Sequence, residues 1–440
     1  MSQRTKKLLL FLVMGGLLIC VGLIQSWSLA LAISNLCIIS AVMSMGVNIQ
    51  WGYAGLFNAG VMGFAALGGL SVIIISHVPV PEAWNAGGAE IFGALAIAIL
   101  TTFVCIFLWH FLKGYGIVVP LTIIMLIVIG YFIARGVFLP AVERIEGVEP
   151  AKTGFLGGLG LPVLLSWIVG GVIAAGAAWF VGKVSLGLRS DYLAIATLGI
   201  SEIIISILKN EEWLTRGVKN VTGLPRPTPY EVDLQGSHWF QKMAEAVNIS
   251  VAELSSIFVK LCYAGLFLSV LLILLFLAER ALKSPWGRMM RAIRDNEHAA
   301  SAMGKNVNGR RLEVFILGSA VIGVAGAMLT TLDGQFTPTS YQPLRFTFLI
   351  WVMVIVGGSG NNFGAILGGF VVWFFWIESE PIGRWLIDGV TTWMGDSHPL
   401  RLHLIESAAY MRPIAMGVVL LLVLRFSPQG LIPEEKGQAR

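Results

Sequence analysis

Few side chains in this sequence are placed to do chemistry. The helix-borne HExxH of a zinc protease and the GxSxG of a serine hydrolase are both absent. The nearest approach to a phosphate-binding loop, WFVGKV at 179–184, lacks the glycine spacing and has Val184 where a hydroxyl residue should follow Lys183. This chain therefore does not bind ATP in that way, and no catalytic residue is assigned. The six histidines, at 77, 110, 238, 298, 398 and 403, share no helical face and suit the ends of membrane spans. Cys20, Cys37, Cys105 and Cys262 lack the paired spacing of a zinc or redox site and read as small apolar residues, so no metal is expected. One acid stands inside an apolar run, Glu202 in YLAIATLGISEIIISIL. A carboxylate at that depth costs a few kcal/mol and faces a bundle interior or a cavity, unless its span is short and it lies near the interface.

Charge is concentrated in SPWGRMMRAIRDNEHAASAMGKNVNGRR, residues 284–311. Ser284 followed by Pro285 predicts a capped helix start, and Gly304 supplies a stop. Between them Trp286, Met289, Met290, Ile293, Ala300 and Met303 recur at helical spacing, while Arg288, Arg291, Arg294, Asp295 and His298 take the other side. The segment predicts an amphipathic helix in two short pieces. Such a helix can lie on an anionic leaflet, anchor topology by its charge, or dock in the groove of a partner; charge alone does not choose.

The elements that must hold these residues are membrane spans. Hydrophobic residues make up 56% of the chain and charged ones 12%, where a soluble domain carries about 25% charged, and mean hydropathy is +0.80. A span needs roughly 20 mainly apolar residues. Candidates fall near 8–24, 28–49, 61–78, 91–111, 116–138, 162–182, 192–208, 255–280, 313–332, 345–357, 363–377 and 408–425. The expected fold is all-α: one polytopic transmembrane bundle over residues 1–440, with ten to twelve spans. MSQRTKK and the run after it lack a small-residue cleavage site and predict an uncleaved first span.

The formal charge of +5 is spread among short loops, which argues against nucleic acid and instead reports orientation. RTKK at the start, Lys113, Lys183 with Arg189, and the loop at 282–312 should be cytoplasmic. Arg280 to Arg311 holds eight Lys and Arg against two acids, whereas 209–254 holds five against six and should be external. In that external loop Pro225, Pro227 and Pro229 predict irregular chain. The polar stretch 378–403 should share its side, with Trp385 and Trp393 in an interfacial belt.

Two apolar regions are broken by glycine and polar residues, WGYAGLFNAGVMGFAALGG at 51–69 and GGSGNNFGAILGG at 357–369. Irregular backbone at membrane depth is tolerated where protein or a cavity covers it, and paired interruptions point to a transporter's solute path. Gly55, Asn58, Gly60, Gly63, Gly357, Gly358, Ser359, Gly360 and Gly364, with Glu202, are the candidate path residues. Close helix packing through small residues accounts for the same pattern.

DNEHAASAMG resembles the cytoplasmic coupling loop of ABC importer permeases, with His298 where their motif has Glu before Ala299, Ala300 and Gly304. The surrounding sequence resembles the M-type permeases of branched-chain amino-acid importers in four places. These are 52–69, LRSDYLAIATLGISEII at 188–204, residues 284–334, and GGSGNNFGAILGG with RFSPQGL at 357–369 and 425–431. The chain departs from that pattern at Ser190, where the family has glycine, and at Arg216 and Asn220, where it has two glycines; residues 91–154 look like an insertion.

The resemblance implies a permease subunit of an ATP-driven importer in the bacterial cytoplasmic membrane, surrounded by lipid. Its implied partners are a second homologous permease, two cytoplasmic ATPases and a periplasmic or extracellular solute-binding protein. ATP and magnesium would be used by the ATPases, and no cofactor is bound by this chain. Ser284, Trp286, Arg288, Met290, Arg291, Ile293, Arg294, Asp295, Glu297, Ala299, Ala300 and Gly304 would then form the docking loop, with Trp286, Met290 and Ile293 filling a groove on the ATPase. The expected solute is a branched-chain or other hydrophobic amino acid. A urea or short-amide importer has a very similar permease. A self-sufficient secondary transporter would need coupling carboxylates or histidines within its spans, where Glu202 alone qualifies.

Overall fold

A computed structural model describes residues 3–112, 118–149, 152–188, 190–393 and 398–434. Lys113, Arg189 and the final residues 435–440 lie outside the described residues, as does the side chain of Ser190. The chain begins with α1 (Gln3–Ile24) and α2 (Trp27–Ala54), the latter capped by the Ser26 hydroxyl, which accepts from the Ser28 and Leu29 amides. Next come α3 (Val61–Ser76), α4 (Ala89–Phe111), α5 (Val118–Glu146), α6 (Val163–Ser185) and α7 (Ser190–Asn210). The long α8 (Val251–Lys283) leads to two short helices, α9 (Pro285–Asp295) and α10 (Glu297–Ala302). The remaining main helices are α11 (Val307–Asp333), α12 (Pro343–Gly357), α13 (Asn362–Val390) and α14 (Met411–Phe426).

Among the described residues ten helices are long and apolar enough to cross a membrane, and α3 and α12 are shorter apolar helices. The ten to twelve spans expected from hydropathy are thus ten full-length helices and two short ones, the short ones adjoining the glycine breaks. The other departures are local. Residues 378–390 continue α13 through Pro381 rather than forming a loop, and β1 (Val221–Thr222) pairs antiparallel with β2 (Gln335–Phe336) in an otherwise helical chain. The Pro225–Pro229 stretch is irregular, but helices at Glu231–Gly236 and His238–Val247 follow it.

α11 is the central post. It packs on α2, α3 and α6, and α13 packs on α2 and α12. The approach of α3 to α11 is backbone on backbone: a Cβ added to Gly68 would lie 1.9 Å from the Gly323 carbonyl oxygen, and one on Gly326 would lie 1.9 Å from that of Ala65. Lipid supplies no hydrophobic drive between helices, so such small-residue contacts and buried polar pairs carry the packing. By contrast α4 and α5 pair mainly with each other at the periphery, exposing Phe103, Phe107, Phe132 and other large apolar side chains.

At about 1.5 Å per residue, the 33 residues of α8 span about 50 Å. This places α9 and α10 at one end of the bundle and the 211–250 segment, with the β1–β2 pair, at the other. At that second end Tyr341 is buried against Thr330, 2.7 Å between hydroxyls, and burial raises its phenol above the ordinary value. Arg216 and Asn220 lie there too, with φ of 55° and 59°. Both departures from the family's glycines therefore sit in the left-handed region where glycine is unstrained; Arg216 recovers one contact by donating from Nη1 to the Asn220 carbonyl at 3.3 Å.

Candidate functional site

α9 begins as the sequence predicts. The Ser284 hydroxyl accepts from the Gly287 amide at 3.4 Å, and Pro285 occupies the first turn. Asn296 caps α10 by accepting from the Ala299 amide at 3.0 Å, and Gly304, at φ 74°, follows its end. Glu297 ties α10 to the first turn of α11 through a 2.7 Å pair with Arg311, and Trp286 donates to Glu313 at 3.1 Å.

The apolar face of α9 is used inside the chain. Met290 and Ile293 are fully buried, Ala300 is nearly so, and Trp286 is half-buried. This corrects the expectation that Met290 and Ile293 fill a groove on another protein: the core at the ends of α2 and α8 already covers them. The surface left open carries Arg288, Asp295, His298, Ala299 and Met303, while Arg291 and Arg294 are half-buried.

Arg294 joins this loop to both glycine breaks. Its Nη1 donates to the Gly52 carbonyl in the last turn of α2, and its Nη2 pairs with Glu434 at 3.0 Å. Its Nε also meets Asp295 at 3.1 Å. A Cβ on Gly55 would meet the Arg294 stem at 3.4 Å, and one on Gly360 would meet Glu434 at 2.8 Å and Arg294 at 3.2 Å. The tail bearing Glu434 is itself laced to the second break. Leu431 and Ile432 amides donate to the carbonyls of Val356 and Gly357, each at 2.9 Å, and Asn361 donates to the Pro433 carbonyl at 3.0 Å. Gly358, at φ 116°, makes room for Gly430. Lys7, Lys283, Arg291, Glu279 and Glu434 surround a charged cavity of about 350 Å³ beside this junction.

Each break is also satisfied from within. Asn58 donates to Gln50 at 2.9 Å and accepts from the Gly60 amide at 2.8 Å, and Trp351 donates to the Asn58 carbonyl at 3.0 Å. Gln50 in turn donates to the Phe315 carbonyl and to Ser319. At the second break Asn48 and Tyr53 both donate to Asn362 Oδ1, and Asn362 Nδ2 donates to Glu279 at 2.9 Å. The Gly360 amide donates to Asn48 at 2.8 Å. Buried polar groups cost free energy unless bonded, and these networks hold non-helical backbone inside the bundle.

Of the candidate path residues, Gly60 faces Thr197 and Gly63 faces Ser201, while Gly357 and Gly364 face one another's carbonyls and Ser359 is half-buried. The structure brings Gly55 and Gly360 together with Arg294, seats Gly358 against the 429–432 backbone, and keeps Glu202 apart. Glu202 is exposed on α7 and lines a shallow depression with Lys209, Arg345 and Phe348. Nor is it the sole acid within a span, because the continuation of α13 brings in buried Glu378, which accepts from Gln25 at 2.9 Å. Sequence reasoning passed over Asn48, Gln50, Tyr53, Asn362 and Glu434. The first two left a signal, in polar residues recurring along the otherwise apolar α2 at Asn35, Ser40, Ser44, Asn48 and Gln50.

A family model described as "Branched-chain amino acid transport system / permease component" matches residues 145–424. The chain is 27% identical over 275 residues to the high-affinity branched-chain amino acid transport system permease protein LivM of Escherichia coli K12, covering 62% of this chain and 58% of that one. It is 27% identical over 287 residues to a probable LivM of Methanocaldococcus jannaschii, covering 64% and 70% respectively. The permease protein LivH of Salmonella typhimurium matches at 27% over 203 residues, 46% of this chain and 59% of that one. The match thus spans less than two thirds of the E. coli relative's length. No solved structure matches.

Proposed function

The chain belongs to the family of branched-chain amino acid transport system permease components, and on that premise we propose that it is the membrane subunit of an ATP-driven importer of branched-chain or other hydrophobic amino acids. It is a multi-pass inner-membrane protein, and it acts with a second homologous permease, two ATPases that use ATP and magnesium, and a solute-binding protein. Similarity to both LivM and LivH supports the pairing of two related permeases. The end bearing α9 and α10 is cytoplasmic and receives the ATPase; the 211–250 end is external and receives the binding protein.

The observation that carries this reading is the junction at Arg294. A helix whose inner face is locked into the core and whose outer face is free is tied by one guanidinium to both helix breaks. A push on Arg288, His298 and Met303 would be delivered to Gly52 and to the Gly358–Asn361 turn, as a rigid-body change between two states requires.

The test is Arg288→Ala with Met303→Ala, both exposed, in the assembled complex. Truncating interface anchors costs about 2 kcal/mol or more, so ATPase copurification and solute-stimulated hydrolysis should fall severalfold while the permease inserts normally. Unchanged values of both refute docking at this face. In a cysteine-free background, Ser301→Cys and Ser237→Cys should label from opposite sides of the membrane, and labelling of Ser301→Cys alone by an impermeant reagent on intact cells would reverse the orientation.

A further inference from the structure

The charged cavity of about 350 Å³ beside the Arg294 junction is walled by separate stretches of chain. Lys7 comes from the start of α1, Glu279 and Lys283 from the end of α8, Arg291 from α9, Phe363 from the start of α13, and Glu434 from the tail. Three cations in this lining face two carboxylates, an excess of one positive charge.

Both carboxylates are already engaged. Glu279 accepts from Asn362 at 2.9 Å and pairs with Lys283 at 3.2 Å, and Glu434 pairs with Arg294 at 3.0 Å. Arg291 has neither acid as a partner. It lines the cavity half-buried, and among the described residues no hydrogen bond or ion pair reaches its guanidinium. Lys7 stands over the Phe363 ring, 5.6 Å from the centroid, which keeps its ammonium group at the wall. An anion balances such a lining, and a guanidinium suits phosphate in particular, because it can present two parallel N–H donors.

The level of the cavity indicates which phosphate reaches it. Leu8, Leu9, Leu12 and Val13 follow Lys7 along α1 and are exposed, as are Phe276 and Leu277 on α8 within two turns of Lys283. In a membrane-spanning chain these surfaces meet acyl chains, so the cavity lies where acyl chains give way to headgroups. A dry cavity of roughly 150 Å³ takes up benzene, and this larger one admits a phosphate diester with a small headgroup. A single excess charge matches a monoanionic lipid rather than a zwitterionic one, and the carboxylates can accept from headgroup hydroxyls.

We propose that this cavity binds the headgroup of an anionic phospholipid of the phosphatidylglycerol type, from the leaflet on the α9 side. Arg291, Lys7 and Lys283 hold its phosphate, and Glu279 and Glu434 accept from its glycerol hydroxyls. The lipid thereby ties the peripheral α1 to α8 and α9. This requires only that the chain spans a membrane, and is independent of the solute carried and of the ATPases.

The test uses the full chain, delipidated in detergent and titrated with dioleoyl phosphatidylglycerol, phosphatidylethanolamine or phosphatidylcholine, with bound lipid counted by native mass spectrometry. One phosphatidylglycerol should be retained severalfold more tightly than either zwitterionic lipid. Arg291→Ala and Lys7→Ala should each weaken that retention roughly fivefold, as loss of one basic residue beside an anionic leaflet does, and Arg291→Lys should keep part of it. Lys6→Ala, at an exposed neighbour outside the cavity wall, should change nothing. Lys7→Ala, on the peripheral helix, carries the test if Arg291→Ala does not elute as one species. Equal retention of all three lipids overturns the site, as do equal losses from Lys6→Ala and Lys7→Ala, the mark of diffuse attraction to the surface. Inorganic phosphate and glycerol 3-phosphate separate the two sources of a phosphate: neither should displace the lipid, and displacement by either would give the cavity to a soluble anion and overturn the lipid assignment.

Discussion

Helix α2 and the α4–α5 hairpin are both apolar enough to span a membrane, and they are used in opposite ways. In the most apolar stretch of α2, 78% of residues are buried, against 6% for α5, although the α5 stretch is the more hydrophobic of the two. Lipid solvates Leu, Ile and Phe as well as a protein interior does, so hydropathy marks a helix as spanning and says nothing of which neighbour it meets. The interior of this bundle is marked instead by glycine, serine and amides. Asn35, Ser40, Ser44, Asn48 and Gln50 follow one another down α2 and are all buried, while α5 shows Leu121, Ile124, Met125, Ile127 and Phe132 to its surroundings.

The contrast is most sharply tested by adding bulk. Gly68→Leu drives a side chain into the Gly323 carbonyl and should cost upwards of about 4 kcal/mol, read as loss of the monodisperse species in detergent. Gly93→Leu and Gly136→Leu, in the hairpin where nothing lies within 4 Å of an added Cβ, should elute and melt as the parent does. Equal damage from all three would end the distinction between the two regions.

A smaller effect is expected from Asn362→Leu. It keeps the volume but strands Asn48, Tyr53 and Glu279, at about 1–3 kcal/mol for an orphaned buried group, and should lower the melting temperature by several degrees. Its counterpart Thr101→Val removes a bond internal to α4, from Thr101 Oγ1 to the Ile97 carbonyl at 2.8 Å, and should change little. The smallest effect belongs to Phe107→Leu and Phe132→Leu, exposed on the hairpin, which should stay within about 0.5 kcal/mol in nanodiscs. A loss as large as that of Asn362→Leu would show that protein rather than lipid covers the hairpin.

How far the sequence speaks follows the same division. Span positions, the Ser284 cap of α9, the Gly304 stop after α10 and both glycine breaks were legible, because length, hydropathy and capping chemistry are local properties. The fate of Met290 and Ile293 was not legible, since amphipathicity announces an apolar face without naming what will cover it. The polar stretch 378–403 was expected outside the spans, yet α13 runs on through Pro381 to Val390. The tail at 427–434 carries no periodicity at all; its part in the junction depends on hydrogen bonds to backbone more than seventy residues away in sequence. Arg216 and Asn220 stand where glycines were expected, and both hold the positive φ that glycine adopts without strain.

The Arg294 junction has a mechanical corollary. Gly52 closes α2, and Glu434 is carried by a strand fastened to Gly357, so the two breaks share one guanidinium as a common pin. Neither can swing without dragging the other or tearing an ion pair out of a half-buried setting. If the breaks gate the solute as proposed above, two gates keyed to one pin would move in phase, and a permease so wired would have no intermediate in which one had opened and the other had not.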